Sequence, residues 1–147
     1  MTTGFACRLQ KAWQSMRRTA SIFEASEHAS QCAVIDWWAL ARHKWKLPEF
    51  ALFAVPNGAV LAGDARHRAI QMNNLKRSGL RVGAPDLILA QPRQDAHGLF
   101  VEMKRRPNKP TPEQRETMDY LRGAGYDCCI CYSSDEAIRA ITGYLSA

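Results

Sequence analysis

Three charged residues interrupt two apolar segments near the middle of the chain. Asp86 lies in residues 85–89, and Glu102 and Lys104 lie in residues 98–104. Hydrolysis of a phosphodiester requires neutralisation of the phosphoryl oxygens, a deprotonated water and a stabilised leaving oxygen. A Mg²⁺ ion held by two or three carboxylates, with positions open for substrate and water, meets these requirements. The two carboxylates and the lysine are therefore candidates for this chemistry.

Both segments are predicted to be β-strands, because each is short, apolar and bounded by turn-forming residues. Side chains alternate across a strand, so Glu102 and Lys104 share one face while Val101 and Met103 share the other. If the strands pair as a hairpin, Asp86 and Glu102 converge, and Lys104 can reach the attacking water or the phosphorus. This spacing also occurs by chance, and the alternative is a Glu102–Lys104 ion pair on a half-exposed strand.

Two polar residues outside these strands are candidate partners of the site. Ser26 is a suitable N-cap for a helix that runs to about Lys46, and Glu27 falls within about 40° of the apolar stripe of that helix. Glu27 is thus a candidate metal ligand, although a carboxylate at a helix N-terminus is also favoured by the macrodipole alone. Gln114, in a capping box with Thr111, is placed to orient water or a ligand.

The remaining elements complete an alternation of helices and strands. They are a strand over residues 50–55, a helix capped by Asp64 and ending near Ser78, a helix from Pro112 to about Arg122, a strand over residues 126–132 and a last helix capped by Ser134. The order is helix, strand, helix, strand, strand, helix, strand, helix. This pattern predicts a mixed α/β domain, with a small central sheet and helices packed on it.

Composition and length indicate a single globular domain. The chain has 147 residues, 46% of them hydrophobic and 23% charged, and no apolar run long enough to span a membrane. The five cysteines favour reduced, buried thiols in a cytoplasmic protein over a disulfide framework or a zinc site. Trp37, Trp38 and Trp45 are expected in the core rather than as platforms for stacked bases.

Positive charge is concentrated around the two charged strands. Residues 66–109 contain ten basic and three acidic residues, a net charge of +7, against +6 for the whole chain. Such a face is expected to bind phosphates, although a merely solvated basic surface would have the same composition. The candidate phosphate contacts are Arg66, Arg68, Lys76, Arg77, Arg105, Arg106 and Lys109.

Residues 1–24 are predicted to form a basic arm ahead of the domain formed by residues 25–147. The arm carries Arg8, Lys11, Arg17 and Arg18 and has no acidic residue before position 24. It lacks the long apolar core of a secretory signal, but its composition suits a transit peptide. An arm or short helix that touches nucleic acid would have the same composition, and the sequence does not separate these alternatives.

Several short motifs follow one another in a recognisable order. Over residues 25–146 the chain reads S-E-H-x-x-Q, F-A-V-P-N-G, K-R-S-G-L-R-V-G-A-P-D-L-I-L, H-G-L-F-V-E-M-K-R, T-P-E-Q and a final G-Y followed by S-S-D-E-A. These motifs resemble the VRR-NUC (virus-type replication-repair nuclease) family of the PD-(D/E)xK nuclease superfamily. The resemblance implies a restriction-endonuclease-like core and cleavage of DNA that depends on Mg²⁺ or Mn²⁺.

The resemblance also implies a role for each residue of the site. By position in the motifs, the metal ligands are Asp86, Glu102, Glu27 and the main-chain carbonyl of Met103, and the catalytic residues are Lys104 and Gln114. Asn57, in the Pro56-Asn57-Gly58 turn, is added to the candidate DNA contacts. Ala59 stands where relatives often carry a second glycine, a departure that concerns the turn and leaves the chemistry intact.

Small stand-alone members of the family are similar to phage proteins that act as homodimers on branched DNA such as four-way junctions. We therefore expect a metal-dependent DNA endonuclease of replication, repair or recombination, in the cytoplasm of a bacterial cell, with a phage or prophage origin and no membrane association. A homodimer would place two cuts symmetrically. The alternative is a module on the same fold that recognises branched DNA without cutting it.

Overall fold

The computed structural model describes residues 25–56 and 61–147, which form a four-stranded mixed β-sheet flanked by four α-helices. The elements are α1 (Glu27–Ala41), β1 (Leu52–Ala54), α2 (Ala65–Arg77), β2 (Leu87–Leu89), β3 (Leu99–Met103), α3 (Pro112–Gly123), β4 (Asp127–Cys131) and α4 (Ser134–Ser146). Their order is the predicted one, and the α/β class is confirmed. The predicted basic arm and the predicted DNA contact Asn57 lie outside the described residues.

The sheet has the strand order β1-β2-β3-β4. Strands β1 and β2 are antiparallel, β2 and β3 form the predicted antiparallel pair, and β3 and β4 are parallel. In the register of the sheet, Leu87 at the start of β2 lies opposite Val101, whereas β3 continues beside β4 as far as the Met103–Cys131 pair. One edge of β3 therefore extends beyond its pairing with β2.

The main core lies on one face of the sheet. Leu99, Val101 and Met103 of β3 are buried there, together with Val34 and Trp38 of α1 and Ile141 of α4. The rings of Trp37 and Trp45 pack against Trp38, with centroids 6.2 and 6.4 Å from its ring. The alternation of side chains along β3 sends Glu102 to the opposite face, against which α3 packs.

Four details differ from the sequence prediction. Helix α1 ends at Ala41 and continues as a 3-10 turn to Trp45, after which Lys46 adopts a left-handed conformation with φ of 57°. Phe50 is 79% exposed and outside β1, because residues 49–51 form a second 3-10 turn in which the Ala51 amide bonds to the Pro48 carbonyl. The N-cap of α4 is Ser133, whose hydroxyl accepts from the Glu136 amide. Cys32 is exposed rather than buried, because it lies on the solvent side of α1.

Among the residues that the structure describes, no helix is both long and apolar enough to cross a bilayer.

Candidate active site

Asp86 lies directly before β2, after a buried Pro85, and its side chain is turned toward β3. Its Oδ2 accepts a 2.8 Å hydrogen bond from the Met103 amide. The backbone of Asp86 is held as well, since the Val55 amide donates to its carbonyl at 2.8 Å. Burial raises the pKa of Asp86, and the charge of Glu27 raises it further, while the Met103 amide and Lys104 lower it in part.

Glu102 is the most deeply buried charged residue among those described, with 1% of its side chain exposed. Its Oε1 lies 2.6 Å from Lys104 Nζ and also accepts a hydrogen bond from the Gln114 side-chain amide. Its Oε2 is buried without a hydrogen-bond partner within the described chain. Burial raises the pKa of Glu102 to about 7, the charges of Asp86 and Glu27 act in the same direction, and Lys104 opposes them.

Lys104 follows β3 and lies beside three carboxylates. Burial alone would lower the pKa of its ammonium, but the hydrogen bond to Glu102 and the charges of Glu102, Glu27 and Asp86 raise it overall. The side chain is therefore a protonated donor in the free protein. The alternative of a surface ion pair does not hold, because the exposed fractions of the two side chains are 11% for Lys104 and 1% for Glu102.

Glu27 reaches the site from the first residue of α1. The Ser26 hydroxyl caps this helix by accepting from the Ala29 amide, and Glu27 Oε1 accepts a 2.9 Å hydrogen bond from the Arg105 amide. Glu27 is thus fixed beside the end of β3, next to Lys104, and not on the solvent side of its helix.

Gln114 links the start of α3 to Glu102. In the capping box of this helix, the main-chain amide of Thr111 donates to Gln114 Oε1 at 2.9 Å. The Thr111 hydroxyl accepts a hydrogen bond from the main-chain amide of Gln114. The carbonyl end of the Gln114 side chain is therefore held by its own helix, and the amide end is directed to Glu102.

Sequence reasoning missed Gly83, which fixes the position of this helix start. Gly83 has a φ of +91°, and a Cβ there would lie 2.8 Å from the Glu113 carbonyl and 3.0 Å from the Gln114 nitrogen. The available signal was the Gly-Ala-Pro sequence before Asp86, which predicted a turn but not the close approach to α3.

The predicted phosphate contacts lie on two exposed surfaces. Arg66, Arg68, Lys76 and Arg77 belong to α2, and Arg105, Arg106 and Lys109 belong to the loop after β3. The guanidinium of Arg106 stacks 4.4 Å over the Tyr132 ring and lies 3.4 Å from Glu136, whose other oxygen accepts from the Tyr132 amide. Tyr132 and Glu136 were not anticipated, because nothing local in the sequence pairs them with Arg106.

The donor atoms of this site determine which kind of cation fits it. No group of three or more His, Cys, Asp and Glu side chains in the described residues is arranged to hold a metal ion by itself. Two carboxylates with raised pKa values, one of them with a buried and unpartnered oxygen, nevertheless form an oxygen-donor set that a cation would stabilise. Mg²⁺ keeps several waters and needs only one or two carboxylates, so the residues present fit it.

The Met103 carbonyl is also directed to this part of the molecule. A strand residue points its N–H and its C=O to the same edge, and the Met103 amide points to Asp86. The roles of Met103, Glu27, Asp86 and Glu102 as metal ligands stay predictions.

Comparison with known proteins identifies the same kind of domain. The model of the VRR-NUC domain family matches residues 12–135. A solved structure described as "VRR_NUC domain protein" is similar to this chain with a TM-score of 0.67 and 26% sequence identity, over 84% of this chain and 90% of that chain. No curated protein matches the chain.

Proposed function

The chain belongs to the VRR-NUC domain family, a nuclease-type domain, and from this membership we propose that it is a metal-dependent endonuclease that hydrolyses phosphodiester bonds in DNA. The proposal rests on the groups that surround Glu102. A buried carboxylate with one unpartnered oxygen lies beside a lysine, a glutamine and a second carboxylate. Such a cluster is costly for stability alone and is typical of catalytic sites.

In this proposal Asp86, Glu102 and the Met103 carbonyl hold Mg²⁺ or Mn²⁺, with Glu27 as a further candidate ligand. When bound, the cation supplies charge neutralisation at the scissile phosphate and lowers the pKa of a bound water. Asp86 is oriented for this role because its other oxygen is fixed by the Met103 amide.

Lys104 and Gln114 act on the substrate and on Glu102. The Lys104 ammonium keeps its proton, since its pKa is raised, and donates a hydrogen bond to a phosphoryl oxygen or to the attacking water. Gln114 holds Glu102 in place through its amide and thereby orients the free oxygen of that carboxylate.

The proposed substrate is branched DNA such as a four-way junction or a flap, bound through the two exposed basic surfaces. A homodimer would bring two such sites to the two strands of a symmetric junction. The bacterial cytoplasm and a phage or prophage origin stay predictions from the sequence.

The test is cleavage of labelled duplex, flap and four-way-junction DNA by the full chain, with Mg²⁺ or with EDTA. We expect cleavage only with the divalent cation, and a loss of about 10²-fold or more in Lys104→Ala, since it removes a donor to the transition state. DNA binding without cleavage of any substrate would favour the non-cutting module. Cleavage by Glu102→Ala at the parent rate would show that the site is elsewhere.

A further inference from the structure

Helix α2 carries no buried residue, although it is one of the longer helices of the domain. Asp64 caps it by accepting from the His67 amide at 2.9 Å, and the helix ends at Arg77. Burial in the core therefore does not account for this helix, and its exposed side chains are the feature to consider.

The side chains of α2 divide into two faces. At about 100° per residue, Arg66, Ile70, Asn73 and Arg77 lie within about 60° of one another on one face. The half-buried side chains Gln71, Met72 and Leu75 lie on the opposite side of the helix and turn it toward the domain. Arg66, Ile70, Asn73 and Arg77, which we call the outer stripe, therefore point away from the protein. Even the apolar member of the stripe, Ile70, is 50% exposed.

The chemistry of the outer stripe suits the edges of base pairs. Residues 65–77 include four basic residues and no acidic one. In a major groove, arginine bonds to guanine, asparagine bonds to adenine, and an apolar side chain contacts the thymine methyl group. From Arg66 to Arg77 the stripe spans about 16 Å, and the major groove is wide enough to admit a helix of this kind.

The inward side of α2, near its C-terminal end, faces the segment that precedes β2. Leu75 lines a cavity of about 440 Å³ together with Val55 and Ala84. The Val55 amide in turn donates to the carbonyl of Asp86. The inward side of α2 is thus connected through Val55 to the segment that carries Asp86.

We propose that the outer stripe of α2 enters the major groove of a duplex arm of the substrate and reads base edges there. The inference rests on the proposed function and adds the form of the DNA that is bound and the groove that is contacted. Charge complementarity favours DNA over a second copy of this chain, which carries the same positive stripe.

The first experiment measures binding of the full chain to a duplex in EDTA, so that it does not depend on cleavage. The variants are Arg66→Ala/Arg77→Ala and Asn73→Ala, and the matched control is Arg139→Ala, an exposed arginine of α4. We expect the double variant to weaken duplex binding about tenfold or more, Asn73→Ala to weaken it severalfold, and the control to bind like the parent protein. Helical circular dichroism verifies that each variant folds.

The second experiment uses the unaltered protein, so it does not depend on any variant folding. Methylation of guanine N7 modifies the major groove, and methylation of adenine N3 modifies the minor groove. We expect only the first modification to reduce binding, and we expect the double variant to have lost that sensitivity.

Three results would overturn the inference. The first is a double variant that binds duplex DNA as tightly as the parent protein. The second is binding by the parent protein that is insensitive to N7 methylation. The third is an Ile70→Ser variant that turns a dimer into a monomer while DNA binding is unchanged. A parent protein that cuts DNA but gives any of these results leaves the proposed nuclease intact. A parent protein that cuts no DNA defeats the proposed function, whatever the binding results.

Discussion

The carboxylate of Glu27 accepts a 2.9 Å hydrogen bond from the main-chain amide of Arg105, which is 78 residues later in the chain. A second bond of the same kind joins Asp86 to the amide of Met103 at 2.8 Å. Between these two amides, that of Lys104 points the other way and donates to the Cys131 carbonyl of β4. Asp86 and Glu27 thus lie side by side along one edge of the backbone at the end of β3, where they accept hydrogen bonds from alternate amides.

The reason lies in the unequal lengths of the strands. Strand β2 begins at Leu87 opposite Val101, so the amides of Met103 and Arg105 have no strand on that edge to accept their hydrogen bonds. A buried amide without an acceptor costs free energy, as it would at Met103, and a carboxylate supplies the acceptor at both positions. The same two bonds fix the carboxylates that are the candidate metal ligands.

Substitution of Glu27 separates these two roles. Glu27→Gln keeps an acceptor for the Arg105 amide but loses the charge, whereas Glu27→Ala loses both. We expect Glu27→Ala to lower the free energy of unfolding by about 1 kcal/mol and Glu27→Gln to lower it by less. Glu27→Gln should still raise the Mg²⁺ concentration for half-maximal cleavage about tenfold. An unchanged Mg²⁺ dependence would restrict Glu27 to holding the backbone.

Gly83 and Gly79 form a matched pair for testing how α3 is positioned. Both have a positive φ, but an added Cβ at Gly83 would meet the Glu113 backbone at 2.8 Å, whereas at Gly79 it would meet nothing within 4 Å. We expect Gly79→Ala to cost about 1–2 kcal/mol of stability from backbone strain and to leave cleavage unchanged.

Gly83→Ala should cost more stability and should also slow cleavage, because it shifts Gln114 away from Glu102. Urea unfolding and cleavage rates measure the two effects. Equal behaviour of the two variants would show that the contact with α3 is unimportant.

The fold was predictable because local signals mark each element. The N-caps Ser26, Asp64 and Thr111 are all observed, and the apolar runs around Ile88 and Val101 became the central strands. The errors lie where chain geometry overrides such signals. Phe50 has the composition of a strand residue, but it lies in the 3-10 turn that follows Pro48.

The site was predictable only in part. The alternation of side chains along a strand was enough to place Glu102 and Lys104 on one face. Contacts such as Glu27 with Arg105, or Gly83 with Glu113, join distant parts of the chain, and they depend on how helices pack against the sheet. No local pattern records them, so they could only be found in the structure.

The pKa of Glu102 predicts how stability depends on pH in metal-free protein. The pKa of Glu102 is about 7 in the folded state, against an ordinary value of 4.5, so the folded state binds more protons than the unfolded state between these pH limits. Stability should therefore fall as pH rises from 4.5 through 7, by an amount on the order of 3 kcal/mol. Asp86, whose pKa is also raised, acts in the same direction, and the raised pKa of Lys104 matters only in alkaline solution.

Urea unfolding at pH 5 and pH 8 in EDTA measures this dependence. We expect Glu102→Gln to have a much smaller difference between the two pH values than the parent protein, because the amide does not titrate. An equal difference in both proteins would locate the pH dependence in other groups. Added Mg²⁺ should stabilise the parent protein more at pH 8 than at pH 5, since it binds the ionised carboxylates.

Thr111 and Gln114 separate the capping of α3 from the support of Glu102. Thr111→Ala removes the hydroxyl that caps the helix but keeps the backbone amide that holds the Gln114 side chain. Gln114→Ala removes the second half of the capping box and the donor to Glu102 together. We expect Thr111→Ala to lose about 1 kcal/mol of stability and Gln114→Ala to lose more, because it also removes the hydrogen bond to the buried Glu102.

Only Gln114→Ala should also cleave DNA about tenfold or more slowly, since a hydrogen bond to a charged group contributes about 1.5–3 kcal/mol. Cleavage rates at saturating Mg²⁺ and saturating DNA distinguish the two variants, because weaker binding no longer limits the rate under those conditions. If Thr111→Ala slowed cleavage as much as Gln114→Ala, the helix start as a whole, and not the Gln114 amide, would be what the site requires.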